Sequence, residues 1–104
     1  MEHQLRQASG RGHLEEIQCL LRDHPRLDVN LGDGDDITAL RCASRSYQDE
    51  VVKLLLAHPT INVNAQNDSG STALLQSCQD GIVSIVQLLL QDPRVCRYHI
   101  IIFP

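Results

Sequence analysis

The sequence is predicted to fold as an all-α solenoid of stacked helix–turn–helix units, and three observations lead there. The first is repetition. Val29-Asn30 returns as Val63-Asn64, Thr38-Ala39-Leu40 as Thr72-Ala73-Leu74, and Leu54-Leu55-Leu56 as Leu88-Leu89-Leu90, each 34 residues on. A fixed period of a few tens of residues marks an architecture built from stacked supersecondary units. The second is that every period holds two helical patterns separated by a turn signal. The third is the stretch 82–91. Ile82, Ile85, Val86 and Leu89 form one stripe at helical spacing, and Val83, Leu88 and Leu90 widen it to most of the circumference. Such a helix needs cover on several sides, which one unit cannot supply and a stack can.

The first period fits with a slip. Leu5, Ala8 and Glu15 match Leu40, Ala43 and Glu50 at an offset of 35, and His24-Pro25 matches His58-Pro59 at 34. One extra residue is therefore expected after the second helix of the first unit. The units run about Met1–Leu27, Asp28–Ile61 and Asn62–Val95, making residues 1–95 a repeat domain followed by an atypical apolar tail, 96–104. In the second unit Thr38 is placed to cap a short helix to about Ser44. Ser46-Tyr47-Gln48-Asp49 has the form of a capping box opening the next helix, and Pro59 closes it because the residue before proline leaves the α region. The third unit repeats the order with Thr72–Cys78, Ile82–Gln91 and Pro93.

Composition agrees and narrows the function. A chain of 104 residues is one small domain, and with only Tyr47, Tyr98 and Phe103 as aromatics its core is aliphatic. Nine basic residues against thirteen acidic ones leave a net charge of −4. The basic residues are scattered, with no aromatics interleaved, which argues against nucleic acid as a partner. Cys19, Cys42, Cys78 and Cys96 are widely spaced. Without a secretory leader they are expected as thiols in a reducing compartment, cytoplasm or nucleus, in a protein that is not secreted. No apolar run approaches membrane-spanning length.

These residues resemble ankyrin repeats. Thr38-Ala39-Leu40-Arg41-Cys42-Ala43 and Thr72-Ala73-Leu74-Leu75-Gln76-Ser77 lie where that family has Thr-Pro-Leu-His-x-Ala. Gly12-His13-Leu14-Glu15 resembles its second-helix start, Glu50–Leu56 its second-helix core, and Val29-Asn30 and Val63-Asn64 its loop. The resemblance spans about Leu5 to Val95 and implies an ankyrin-repeat solenoid with hairpin-like loops. Three departures stand out. Ala39 and Ala73 replace proline. Arg41 and Leu75 replace histidine, so the polar bracing of the Thr loop is expected to be lost. The turn glycine is Gly12 and Gly81 but Tyr47 in between, which stores backbone strain if that turn needs positive φ.

Chemistry-bearing constellations are sparse. Gly32-Asp33-Gly34-Asp35-Asp36 fails as a calcium loop: counted from Asp33, position 5 is Ile37, position 6 is Thr38 and position 12 is Ser44. His24 and His58 precede proline at equivalent positions and are expected to meet free carbonyls at helix ends. No nucleophile elbow or phosphate loop occurs, so no enzymatic activity, cofactor or metal is expected.

The resemblance implies a non-enzymatic protein-interaction module that binds through its loop tips and concave face. Carried over by position, the tips are Asp33, Gly34, Asp35, Asp36 and Ile37, then Asp68, Ser69 and Ser71. The concave positions are Arg41, Arg45 and Ser46, then Leu75, Gln79 and Asp80. The three aspartates of the first tip favour a partner with a basic patch. The chain is expected to be monomeric unless its apolar C-terminal end associates. The alternative is a structural section, or a truncated fragment, of a longer array without a binding site of its own.

Overall fold

The computed structural model describes residues 1–96. The expected apolar tail, 96–104, lies outside the described residues except for Cys96. Among the described residues there are six helices and no strand. They pair as α1 (Glu2–Arg11) with α2 (Leu14–Asp23), α3 (Ala39–Arg45) with α4 (Asp49–Leu56), and α5 (Ala73–Gln79) with α6 (Val83–Gln91). Each pair packs internally. The first helices stack α1 on α3 on α5, and α4 packs on α6 in the second layer.

Local chemistry sets the helix boundaries. Thr38 and Thr72 are extended residues whose Oγ1 accepts from the Arg41 and Leu75 backbone N–H at 3.4 and 3.2 Å. Each thus satisfies one of the donors that a helix start leaves unpaired. Every first helix ends the same way. The N–H of His13, Gln48 and Ile82 bonds back to the carbonyl of Ala8, Ala43 and Ser77, each at 3.0 Å. This wrap needs a left-handed residue just before it. Gly12 and Gly81 supply it at φ 76° and 70°, and Tyr47 is held there at φ 60°. Tyr47 therefore carries strain, on the order of 1 kcal/mol or more for a residue other than glycine. Its ring offers little in return, being 66% exposed.

Two boundary expectations need correcting. Ser46 does not open α4. It is the C-cap of α3, and Gln48, with no side-chain capping bond, precedes α4. The wrapped turn takes up Ser46 and Tyr47, so Asp49 and Glu50 enter the helix as its acidic first turn, where they complement the dipole. The extra residue of the first unit lies in the last turn of α2, which runs ten residues against eight in α4.

The core is one continuous aliphatic cluster. The repeat-equivalent Leu5, Leu40 and Leu74 are each at most 2% exposed, and Ile17, Val52, Leu55, Ile85 and Leu89 are fully buried. Burying each such side chain contributes roughly 1.5–3 kcal/mol. The all-round apolar pattern of α6 is only partly used: Val86, Leu88 and Leu90 are half-buried and packed on the core, while Val83 is 65% exposed.

The loops are tied by a recurring amide clamp. Asn30 donates from Nδ2 to the Thr60 carbonyl at 2.8 Å and accepts from the Asn62 N–H at 2.7 Å. Asn64 does the same to Arg94 and Cys96, at 2.8 and 2.6 Å. Both side-chain groups of each amide are used, which explains Asn in the Val-Asn pair. Before the first clamp Glu2 takes part of the role, accepting from the Asp28 N–H at 3.2 Å. That bond is the main cause holding its carboxyl below the usual range.

Candidate functional site

Two projecting loops form the first candidate surface. In residues 33–37, Asp33 Oδ1 accepts from the N–H of Asp35 at 2.8 Å and of Ile37 at 3.1 Å, and the Asp33 N–H donates to the Ile37 carbonyl at 3.1 Å. In residues 67–71, Asn67 Oδ1 accepts from Ser69 at 3.0 Å and Ser71 at 2.9 Å, and the Asn67 N–H donates to the Ser71 carbonyl at 3.0 Å. The fourth residue of each loop is left-handed, Asp36 at φ 61° and Gly70 at φ 76°. The loops are adjacent, with the Asp68 N–H donating to the Asp35 carbonyl at 3.4 Å.

The carbonyl oxygens of two different side-chain types, a carboxylate and an amide, thus build the same turn. Asp33 is consequently spent on its own loop. The Asp35 and Ile37 N–H groups hold its carboxyl below the usual range. Gly34, Asp35 and Asp36 are exposed beyond it, as are Asp68 and Ser69 in the second loop. Ile37 and Ser71 are half-buried at the bases of their loops.

The second candidate surface follows the first helices. Arg45, Ser46, Gln79 and Asp80 are exposed, and the Gln76 Nε2 group donates to Asp80 Oδ2. Arg41 and Leu75 are only 9% and 7% exposed, so neither presents a side chain to solvent as the sequence reading had it. Arg41 instead reaches the next loop, donating from a guanidinium nitrogen to the Ser71 carbonyl at 2.7 Å. The expected loss of polar bracing is thereby corrected at Arg41 and stands at Leu75. A longer donor replaces the histidine and braces the loop of the following unit. Leu75 fills the equivalent position with apolar surface.

The sequence reading also passed over α1. Arg6, Gln7, Gly10 and Arg11 of α1 line a cleft of about 310 Å³ with Cys42 and Arg45 of α3 and its C-cap residue Ser46. The offset of 35 already places Gly10-Arg11 on Arg45-Ser46, so the repeat register could have identified these positions. An adjoining hollow of about 210 Å³ is lined by His3, Arg6, Gln7, Asp33 and Cys42.

Burial pushes the Cys42 and Cys78 thiols up, away from the reactive thiolate. His58 corrects the helix-end expectation. Its Nδ1 faces the Thr60 N–H at 3.2 Å and accepts from it, so this nitrogen meets a donor where a carbonyl was expected. Among the described residues no three of His, Cys, Asp and Glu converge as metal ligands, and no helix is long and apolar enough to cross a membrane.

The wrapped turns, Thr caps and Asn clamps recur with the sequence period, and the family model of ankyrin repeats in three copies matches residues 5–98. The chain belongs to the ankyrin-repeat family. Ankyrin repeats are generally protein-interaction modules without enzymatic activity. No curated protein matches this ankyrin-repeat chain.

Proposed function

We propose that the chain binds another protein through the tips of loops 33–37 and 67–71 together with the concave face of the first helices, and converts nothing chemically. The observation that carries this reading is the division of labour within each loop. Asp33 and Asn67 order the backbone, while Gly34, Asp35, Asp36, Asp68 and Ser69 stay exposed. A tip ordered before binding loses less entropy when a partner docks. The exposed Asp35, Asp36 and Asp68 favour a basic patch on the partner, chiefly through the association rate. Ile37 and Ser71 support the tips, and Arg45, Ser46, Gln79 and Asp80 extend the surface inward. The unpaired cysteines suit a reducing compartment, cytoplasm or nucleus.

Recovery of partners by wild type and by Asp35→Ala/Asp36→Ala tests the tips. Asp33 is left in place because its carboxylate builds the loop. Recovery should fall in the variant at low salt, and equal recovery would remove the tips from the binding surface.

A further inference from the structure

We propose that the cleft between α1 and α3 receives the carboxylate side chains of an acidic peptide segment on the partner protein. The inference rests on the protein-binding reading and specifies the partner's chemistry at a second surface. Three guanidinium groups line the one cleft: Arg6 and Arg11 from α1, and Arg45 from α3. Of the other described arginines, Arg26 stands exposed outside the cleft and three are engaged. Arg22 pairs with Asp23, Arg94 with Asp92, and Arg41 with the Ser71 carbonyl. In the cleft Arg6 spends one donor on the Leu31 carbonyl at 3.0 Å. The cleft supplies no carboxylate to neutralise the three, because its other lining residues are Gln7, Gly10, Cys42 and Ser46. Asp33 in the adjoining hollow acts on Arg6 and Arg45 only through its field: its carboxylate is bonded to two backbone N–H groups and forms no ion pair with either arginine.

The shape follows from the helices. Gly10 has no side chain facing α3, and a Cβ there would lie 3.8 Å from the Cys42 Cβ and the Ser46 Oγ. The floor is therefore open, and exposed Arg11 and Arg45 stand on either side of it. Guanidinium forks bind carboxylates with two parallel N–H bonds, and the Ser46 hydroxyl adds a further donor.

The surroundings select a short acidic segment of protein over a nucleic acid. No Phe, Tyr or Trp lines the cleft or the hollow, so bases find no large ring to stack on. The chain carries a net charge of −4, and exposed Asp35 and Asp36 on the loop beside the hollow repel a long polyanion. The hollow continues the cleft through Arg6, Gln7 and Cys42, and its His3 and Asp33 suit a polar neighbour of the acidic residues.

The test is fluorescence anisotropy of the whole chain at low salt with a labelled peptide of alternating Glu and Ser, beside its Gln/Ser analogue, a Lys/Ser peptide and a single-stranded oligothymidylate. The Glu/Ser peptide should saturate and the Gln analogue should not. Arg11→Glu and Arg45→Glu should each weaken binding about fivefold, the effect of an exposed ion pair. Amide shifts on titration should centre on Gly10, Arg11, Arg45 and Ser46. Thermal melts should show both variants folded like wild type, since neither guanidinium has a hydrogen-bond or salt-bridge partner among the described residues. Lack of saturation by the Glu/Ser peptide, undiminished binding by both variants, or an oligothymidylate that competes equally well would each overturn the inference. Binding of the Lys/Ser peptide alone would also overturn it while leaving the protein-interaction reading standing. The tip surface of that reading fails separately, through the pull-down.

Discussion

Between the first and second helix pairs, α1 lies against α3 in the most extensive helix packing among the described residues. Between the second and third, α3 and α5 approach each other less closely. The first junction is built from small groups. Ala8, Ser9 and Gly10 let the helices approach, and the buried Ser9 and Ser44 hydroxyls donate to their own helices, to the Leu5 and Leu40 carbonyls at 2.7 and 2.8 Å. The second and third pairs bury more polar side chains. Arg41 of α3 and Gln76 and Ser77 of α5 are buried, and Arg41 Nε, Gln76 Oε1 and Ser77 Oγ have no hydrogen-bond partner among the described residues. A buried polar atom without a partner costs about 1–3 kcal/mol. The same frame thus holds one tight junction and one weakened by its own side chains, and repeat arrays tolerate this because stability is summed from neighbouring interfaces.

The largest effect expected from this contrast comes from truncating equivalent leucines. Leu40→Ala and Leu74→Ala should each cost about 2–5 kcal/mol in urea unfolding. Leu40 should cost more, because closely packed α1 and α3 cannot collapse into the space left behind. Equal losses would mean that the two junctions are alike in packing.

A smaller effect of opposite sign is expected at Ser77, which occupies the position of Ala8 and Ala43. Ser77→Ala removes the unpartnered hydroxyl and should raise stability by about 1 kcal/mol. Ser44→Ala, which removes a satisfied hydroxyl, should change it by no more than about 0.5 kcal/mol. Thermal melts of the two variants make the comparison, and a destabilised Ser77→Ala would show that this hydroxyl is not a burden on the second junction.

The smallest effect concerns the loops. The folded-state carboxyl of Asp33 is held below its ordinary range, so its contribution is complete above the unfolded value and is lost as pH falls through the folded value, below about pH 4. The loop built on Asn67 has no such proton to gain. Amide exchange at Asp35 and Ile37 should therefore accelerate on acidification relative to that at Ser69 and Ser71. Asp33→Asn should abolish the difference while keeping the turn. Persistence of the difference in that variant would assign it to another group.

The fold was legible at positions where a local rule and the period agree. Thr38 and Thr72 cap as their residue type suggests, and Tyr47 takes the strained turn that Gly12 and Gly81 mark in its neighbours. The candidate surfaces were legible only in part. Reading Ser46 as a cap failed because the six-residue wrap that ends α3 takes precedence over a four-residue motif. Reading Arg41 as solvent-facing failed because its length allows it to cross to the Ser71 carbonyl, a contact 30 residues away. The α1 side of the cleft was missed although the offset of 35 would have placed it.

Period, helix order, caps and turns follow from the chain alone, because each depends on residues within a few positions of one another. The commitment of individual polar side chains does not. Asp33, Asn30, Arg41 and Arg45 look equally available in the sequence, yet the first three are taken up by backbone groups while Arg45 is left facing a cleft. Stacking determines that outcome, because a hydrogen bond forms only when packing brings donor and acceptor to about 3 Å. Which charges remain for a partner is therefore settled by the neighbouring repeat.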